Sequence, residues 1–154
     1  MQRPIKFIRV LPNQMLEIEQ EALEFISTLR TPIHVISIAG VAREGKSAFL
    51  SLMMRIASPS PTQHCGLKFK VNDGVHTETE GAWIWGTNDF ETTDGITGGG
   101  SLLLIDTQGL AKGAAEGLNR LFAMTTLLSS VVVMNCRRIL NDDTMNKLNV
   151  PLAL

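Results

Sequence analysis

The sequence predicts an α/β fold in which helices cover both faces of a doubly wound, mostly parallel sheet. Three observations lead to this prediction. Short β-branched runs alternate along the chain with stretches of helical period. The run from Ile33 to Ala39 is apolar almost without a break, which is typical of a strand buried on both faces. With 154 residues, 44% of them hydrophobic, the chain can build the core of one domain.

The elements of the first half follow from pattern and capping chemistry. Ile5 to Leu11 has the apolar content of a short strand. Asn13 is a suitable N-cap for a helix whose apolar residues, three and four positions apart, include Leu16, Leu23, Ile26 and Leu29. The pair Thr31-Pro32 ends this helix, because the residue before a proline is biased away from helical backbone. Beyond the 33–39 strand, Lys46 to Ile56 is predicted to be helical.

The second half opens with a polar, Pro- and Gly-rich stretch, Ala57 to Thr79, predicted to be one long functional loop. The elements predicted after it are a strand at Ala82 to Gly86, a strand at Leu102 to Ile105, a helix at Ala114 to Leu128, a strand at Val131 to Asn135 and a helix at Asp142 to Leu148.

The expected strand order places the 33–39 strand between the 131–135 strand on one side and the pair formed by 82–86 and 102–105 on the other. A sheet of this kind normally needs about two more strands beyond the 131–135 strand. We therefore expect residues 1–154 to be a single, partial domain with an uncovered apolar edge.

Charge and cysteine content exclude several function classes. Fourteen Lys and Arg against fifteen Asp and Glu give a net charge of −1, so no nucleic-acid partner is expected. No stretch approaches the roughly 20 apolar residues of a membrane span, and no secretory signal is recognisable. Cys65 and Cys136 cannot form a disulfide framework, which predicts a reduced, cytoplasmic protein. His64 and His76 lack the paired spacing of a zinc site.

The strongest motif lies at residues 40–47, where GVAREGKS fits the pattern G-x-x-x-x-G-K-[ST]. Its glycines let successive N–H groups face one point, and the following helix adds the positive end of its dipole. Lys46 would reach the β- and γ-phosphates, and the Ser47 hydroxyl would bind Mg²⁺. The motif sits between a strand and an amphipathic helix, as a P-loop NTPase requires. The predicted nucleotide-binding residues of this segment are Gly40, Arg43, Glu44, Gly45, Lys46, Ser47 and Ala48.

A second candidate site residue, Asp106, directly follows the predicted strand that ends at Ile105. An Asp in this position is ordinarily a turn former, but downstream of a phosphate loop we expect Asp106 to hold Mg²⁺. The D-x-x-G spacing brings the Gly109 amide toward the γ-phosphate. A Ras-like enzyme would carry its water-orienting glutamine at the next position, where this chain has Leu110, and Gln108 does not fill that role by spacing. Arg43, inside the phosphate loop, is the cation available to the transition state, although its spacing alone favours a solvated loop residue.

Four blocks, in this order and spacing, make the chain similar to a known family: GVAREGKS, TETEGAWIW at 77–85, LLLIDTQGL at 102–110 and LLSSVVVMN at 127–135. They resemble the guanylate-binding protein and atlastin family of dynamin-like large GTPases. The likeness covers roughly residues 3 to 150, the front part of that family's GTPase domain. It implies GTP binding, Mg²⁺-dependent hydrolysis and a homodimer formed through the nucleotide-bound domains. Any membrane contact would belong to regions outside this chain.

The resemblance also implies roles for individual residues. Arg43 resembles the family's internal arginine finger, which moves onto the phosphates when two domains pair. Thr79 matches the switch threonine that binds Mg²⁺, and Thr77 matches a serine that helps to orient the attacking water. Gln108 stands where the family usually has Glu, which affects the expected rate more than binding. The implied catalytic residues are Arg43, Lys46, Thr77 and Thr79, and the implied metal ligands are Ser47, Thr79 and Asp106.

Two other functions stay open on the residues alone. An ATPase or small-molecule kinase could use the same phosphate loop, because guanine selectivity enters only through the resemblance. A divergent module could also hold nucleotide without turning it over, and Gln108 favours that alternative.

Overall fold

A computed structural model describes residues 3–41, 44–57, 69, 81–90, 99–109 and 116–135. Over these residues the elements in chain order are β1 (Ile5–Val10), β2 (Leu16–Ile18), α1 (Gln20–Ser27), β3 (Ile33–Gly40), α2 (Lys46–Ala57), β4 (Ala82–Phe90), β5 (Gly100–Thr107), α3 (Glu116–Leu128) and β6 (Val131–Asn135). None of the helices in this part of the chain has the length and apolar character needed to cross a membrane.

The strands form one open, six-stranded sheet in the order β2-β1-β4-β5-β3-β6. The α/β class is thereby confirmed, as is the expected position of β3 between β6 and the pair formed by β4 and β5. One detail of the expectation is wrong, because the described sheet is mixed rather than mostly parallel. Strand β3 runs parallel to β5 and β6, whereas the β4–β5, β1–β4 and β1–β2 pairs are antiparallel. Antiparallel pairing therefore builds the part of the sheet that lies on the far side of β5 from β3.

The predicted start of the first helix at Asn13 is also wrong. Helix α1 begins only at Gln20, after an extended Glu19. Leu16 lies instead in β2, where it pairs with Val10 of β1. The Asn13 side chain accepts a hydrogen bond from the Met15 N–H at 3.1 Å, so it stabilises the turn of a β-hairpin rather than a helix end.

The remaining predicted elements are close to those observed. Strands β4 and β5 extend beyond the predicted 82–86 and 102–105, and α3 lies within the predicted 114–128 helix. Residue 57 closes α2, and Phe69 is buried. The rest of the predicted 57–79 loop and the helix predicted for 142–148 lie outside the described residues.

Helices cover both faces of the sheet, and β5 contributes to both cores because its side chains alternate. Leu103 and Ile105 pack in the cluster that includes residues of α1 and α3. Leu102 and Leu104 pack in the cluster that contains Leu50 and Met54 of α2. The same alternation puts the next even-numbered residue of β5, position 106, on the α2 side of the sheet.

Candidate functional site

The candidate site lies where β3 and β5 end together. These strands are parallel, with Ile38 of β3 opposite Asp106 of β5, so their carboxyl ends meet at one edge of the sheet. Gly40 ends β3, and α2 begins six residues later at Lys46. Ligands of open α/β sheets bind outside the carboxyl ends of the strands, which makes this edge the place to look for a site.

The phosphate-loop segment turns into α2 at Gly45. This residue has φ +82°, a backbone conformation that glycine adopts without steric strain. The first helical hydrogen bond runs from the Phe49 N–H to the Gly45 carbonyl at 2.9 Å. The first N–H groups of a helix have no acceptor within the helix, and they carry the positive end of its dipole. The start of α2 therefore offers backbone donors suited to an anion.

Lys46 is a buried cation held against the loop. The residue is only 6% exposed, and its Nζ donates a hydrogen bond to the Val41 carbonyl at 3.0 Å. Burial lowers the pKa of Lys46, while the carboxylates of Asp106 and Glu44 act to raise it. Among the described residues, this ammonium group donates to one loop carbonyl. Because it is also largely removed from water, it can bind a negatively charged group strongly.

Asp106 is the complementary buried acid. It is 1% exposed, and burial raises the pKa of its carboxyl to about 6 although a hydrogen bond from Ser47 and the charge of Lys46 act to lower it. Its Oδ1 has no hydrogen-bond partner among the described residues. A buried acceptor without a partner beside a serine hydroxyl fits the oxygen ligands that Mg²⁺ prefers, bound directly or through water. Asp106 and Ser47 can therefore hold this ion.

The segment that follows Asp106 is fixed to its neighbours by two side chains. The Thr107 hydroxyl donates to the Ile38 carbonyl at 2.8 Å, which joins the ends of β5 and β3. The Gln108 N–H donates to the Gly81 carbonyl at 2.8 Å, and the Gln108 side-chain oxygen accepts from the Gly81 N–H at 3.1 Å. Gln108 thus holds the D-x-x-G segment against Gly81, the first described residue of the 77–85 block. Nothing in the sequence pattern indicated this contact.

Most of the predicted site residues come together at this edge. The structure places Gly40, Glu44, Gly45, Lys46, Ser47 and Ala48 in the loop and the first turn of α2, and Asp106 and Gly109 in the facing segment. The predicted Arg43, Thr77 and Thr79 lie outside the described residues, as do Leu110, His64, Cys65, His76 and Cys136. In the part of the chain that is described, no three His, Cys, Asp or Glu residues are grouped as a metal site.

One residue at this edge was not predicted from the sequence. Asn135 ends β6, and its side-chain amide donates to the Glu44 carbonyl of the phosphate loop at 2.6 Å. The two residues are 91 positions apart. Only the parallel pairing of β6 with β3 brings them together, so no local spacing could have indicated the contact.

Comparison with known proteins agrees with this arrangement. The family model described as the N-terminal domain of guanylate-binding protein matches residues 13–152. Guanylate-binding protein 2 of Rattus norvegicus is 33% identical over 137 residues, which cover 87% of this chain and 21% of that protein. Guanylate-binding protein 5 of Homo sapiens is 34% identical over 126 residues, covering 80% of this chain and 19% of that protein. The chain thus spans about a fifth of the length of these relatives. It belongs to the guanylate-binding protein family.

Proposed function

We propose that residues 1–154 form the front part of a GTPase domain that binds GTP with Mg²⁺ and hydrolyses it. The observation that carries the proposal is the buried pair formed by Lys46 and Asp106 beside the start of α2. A buried cation suits the phosphate oxygens, and a buried carboxylate with a free acceptor suits the metal that accompanies them. The names of the related proteins state that they bind guanylate, which supports a guanine nucleotide as the ligand.

The described residues have distinct tasks in this proposal. Backbone N–H groups at the start of α2 bind the phosphates, and Lys46 exchanges the Val41 carbonyl for phosphate oxygens. Ser47 and Asp106 hold Mg²⁺, which neutralises charge on the β- and γ-phosphates when it is bound. The contact between Gln108 and Gly81 keeps Gly109 in place near the γ-phosphate.

Hydrolysis is an in-line attack of water on the γ-phosphate. Charge that develops on the phosphoryl oxygens is countered by Lys46 and, as the family resemblance implies, by Arg43 when two nucleotide-bound copies pair. Thr77 orients the water, and Thr79 completes the metal site. A cytoplasmic location belongs to the same proposal.

The test is binding and turnover of GTP, GDP and ATP by the full-length protein. Replacing Lys46 with Ala removes a charge-assisted contact, so we expect the affinity for GTP to fall by about 2–3 kcal/mol. Arg55→Ala is the matched control, because Arg55 is an exposed cation in the last turn of the same helix. We expect this control to leave nucleotide affinity unchanged.

The other outcomes distinguish the proposed function from its alternatives. Unchanged GTP affinity in the Lys46→Ala variant contradicts the phosphate-loop assignment. Equal binding and turnover of ATP identifies an ATPase or kinase. Binding of GTP without turnover at any protein concentration identifies a non-catalytic nucleotide-binding module, whereas specific activity that rises with protein concentration supports pairing through the GTPase domain.

A further inference from the structure

The end of β6 contacts the phosphate loop at two points. In the parallel β3–β6 pair, Asn135 stands opposite Gly40, the residue at which the loop begins. The Asn135 side chain reaches the other end of the loop and donates to the Glu44 carbonyl at 2.6 Å. Glu44 immediately precedes Gly45, the last residue before α2. A single residue of β6 therefore bridges both ends of the loop.

The backbone contact is close enough to dictate the residue type. Gly40 has φ +145°, and a Cβ at this position would lie 2.3 Å from the Asn135 carbonyl oxygen. A contact with a backbone atom cannot be relieved by a change of rotamer. The backbone of the last residue of β6 therefore lies directly against Gly40, and only glycine fits at that position.

The side-chain contact acts on a particular peptide group. The Glu44 carbonyl and the Gly45 N–H belong to the same planar, trans peptide unit, so they point in opposite directions. A hydrogen bond that holds the carbonyl toward Asn135 therefore directs the Gly45 N–H away from β6. Without this bond the 44–45 peptide can rotate, because the glycine on its C-terminal side permits many backbone conformations.

We infer that Asn135 is a positioning residue for phosphate binding. Its side-chain amide holds the Glu44 carbonyl and so directs the Gly45 N–H toward the β-phosphate of a bound nucleotide. The inference rests on the proposed function and adds a residue that lies outside the phosphate-loop motif. Asn135 need not touch the nucleotide.

The nucleotide dependence of the effect distinguishes positioning from a merely structural role. A positioned Gly45 N–H matters only to ligands that carry a β-phosphate. Loss of the Asn135 side chain should then weaken the binding of GDP and leave the binding of GMP unchanged. If Asn135 merely stabilised the end of the sheet, its loss would weaken GDP and GMP alike.

The experiment measures GDP and GMP affinity of the full-length protein with Asn135 changed to Asp or Ala. Asn135→Asp keeps the shape but faces the Glu44 carbonyl with oxygen atoms, and Asn135→Ala removes the donor. Both variants should bind GDP about tenfold more weakly, the size expected for one hydrogen bond, with GMP affinity within about twofold of the unmodified protein. If the Asp variant does not fold, the Ala variant carries the same comparison.

Ser130→Ala is the matched control, because the Ser130 hydroxyl accepts a hydrogen bond from the Val35 N–H at the opposite end of the same strand pair. It should change neither affinity. Equal losses of GDP and GMP binding, or no loss, overturn the inference. If Lys46→Ala weakens GDP binding while the Asn135 variants do not, only this inference fails and the proposed function stands. An unmodified protein that binds no GDP overturns the proposed function as well.

Discussion

At the scale of single residues, stability and function make opposite demands on Asp106. Its carboxyl is buried, and burial raises its pKa to about 6. The folded chain therefore holds this proton more tightly than the unfolded chain, whose Asp pKa is about 4. The contribution of this carboxyl to the free energy of unfolding is largest below about pH 4, and it falls as the pH rises from about 4 to about 6. The difference between the pKa values of about 4 and about 6 corresponds to about 3 kcal/mol of unfolding free energy.

This sign leads to a prediction for Asp106→Asn. Without nucleotide and Mg²⁺, the variant should be more stable than the unmodified protein by about 1–3 kcal/mol at pH 8 and of similar stability at pH 4. Urea unfolding at both pH values measures the difference. Glu24→Gln is the control, because Glu24 is an exposed residue of α1. A variant that is less stable at pH 8 would show that the buried carboxylate is stabilised by contacts stronger than its desolvation.

At the scale of elements, the β4–β5 ladder ends in an unusual way. Ala82 pairs with Thr107, and the next step of the antiparallel ladder brings Gly81 opposite Gln108. The Gln108 N–H continues the ladder, but the Gly81 N–H donates to the Gln108 side chain. The side-chain oxygen thus takes the place that a strand carbonyl takes in a regular ladder, which lets the backbone leave the sheet toward Gly109.

This arrangement predicts different effects for two substitutions of Gln108. Gln108→Ala leaves the N–H of the buried Gly81 without its acceptor and should lower the free energy of unfolding by about 1–3 kcal/mol. Gln108→Glu keeps an acceptor oxygen and should change it by less than about 1 kcal/mol. Hydrogen exchange at the Gly81 amide tests the local contact. Faster exchange is expected in the Ala variant only, and equal protection in all three proteins would contradict the role given to the side chain.

The elements also show what the sequence could and could not predict. Longer strands such as β3 carry a clear β-branched pattern, and the phosphate-loop motif together with parallel pairing predicts that Lys46 and Asp106 lie close together. Strand β2 has only three residues, which is too short for a period-two pattern, so the spacing around Leu16 predicts a helix instead. The contacts of Asn135 and Gln108 join segments far apart in the chain, and local spacing carries no information about them.

At the scale of the whole molecule, the two outer strands of the described sheet differ in character. Strand β2 is short and carries the exposed Glu17, features that discourage pairing with another chain. Strand β6 reads VVVMN without a charge, and its first residue, Val131, is 53% exposed. Among the described residues β6 pairs on one side only, with β3. Within the described ranges, the N–H and carbonyl groups on its other side have no strand partner and form an edge at which a second copy could pair.

We therefore predict that residues 1–154, expressed alone, associate whether or not a GTP analogue is present. Val131→Lys places a charge at the edge and should raise the concentration for half-association about tenfold, equivalent to about 1.4 kcal/mol. Leu127→Lys is the control, because Leu127 is 87% exposed but lies on α3 rather than on the edge strand. Sedimentation velocity measures both variants. Equal effects would assign the association to exposed apolar surface, and a monodisperse unmodified chain would show that β6 is not a pairing edge. Association that appears only with the GTP analogue would instead support pairing through the nucleotide site.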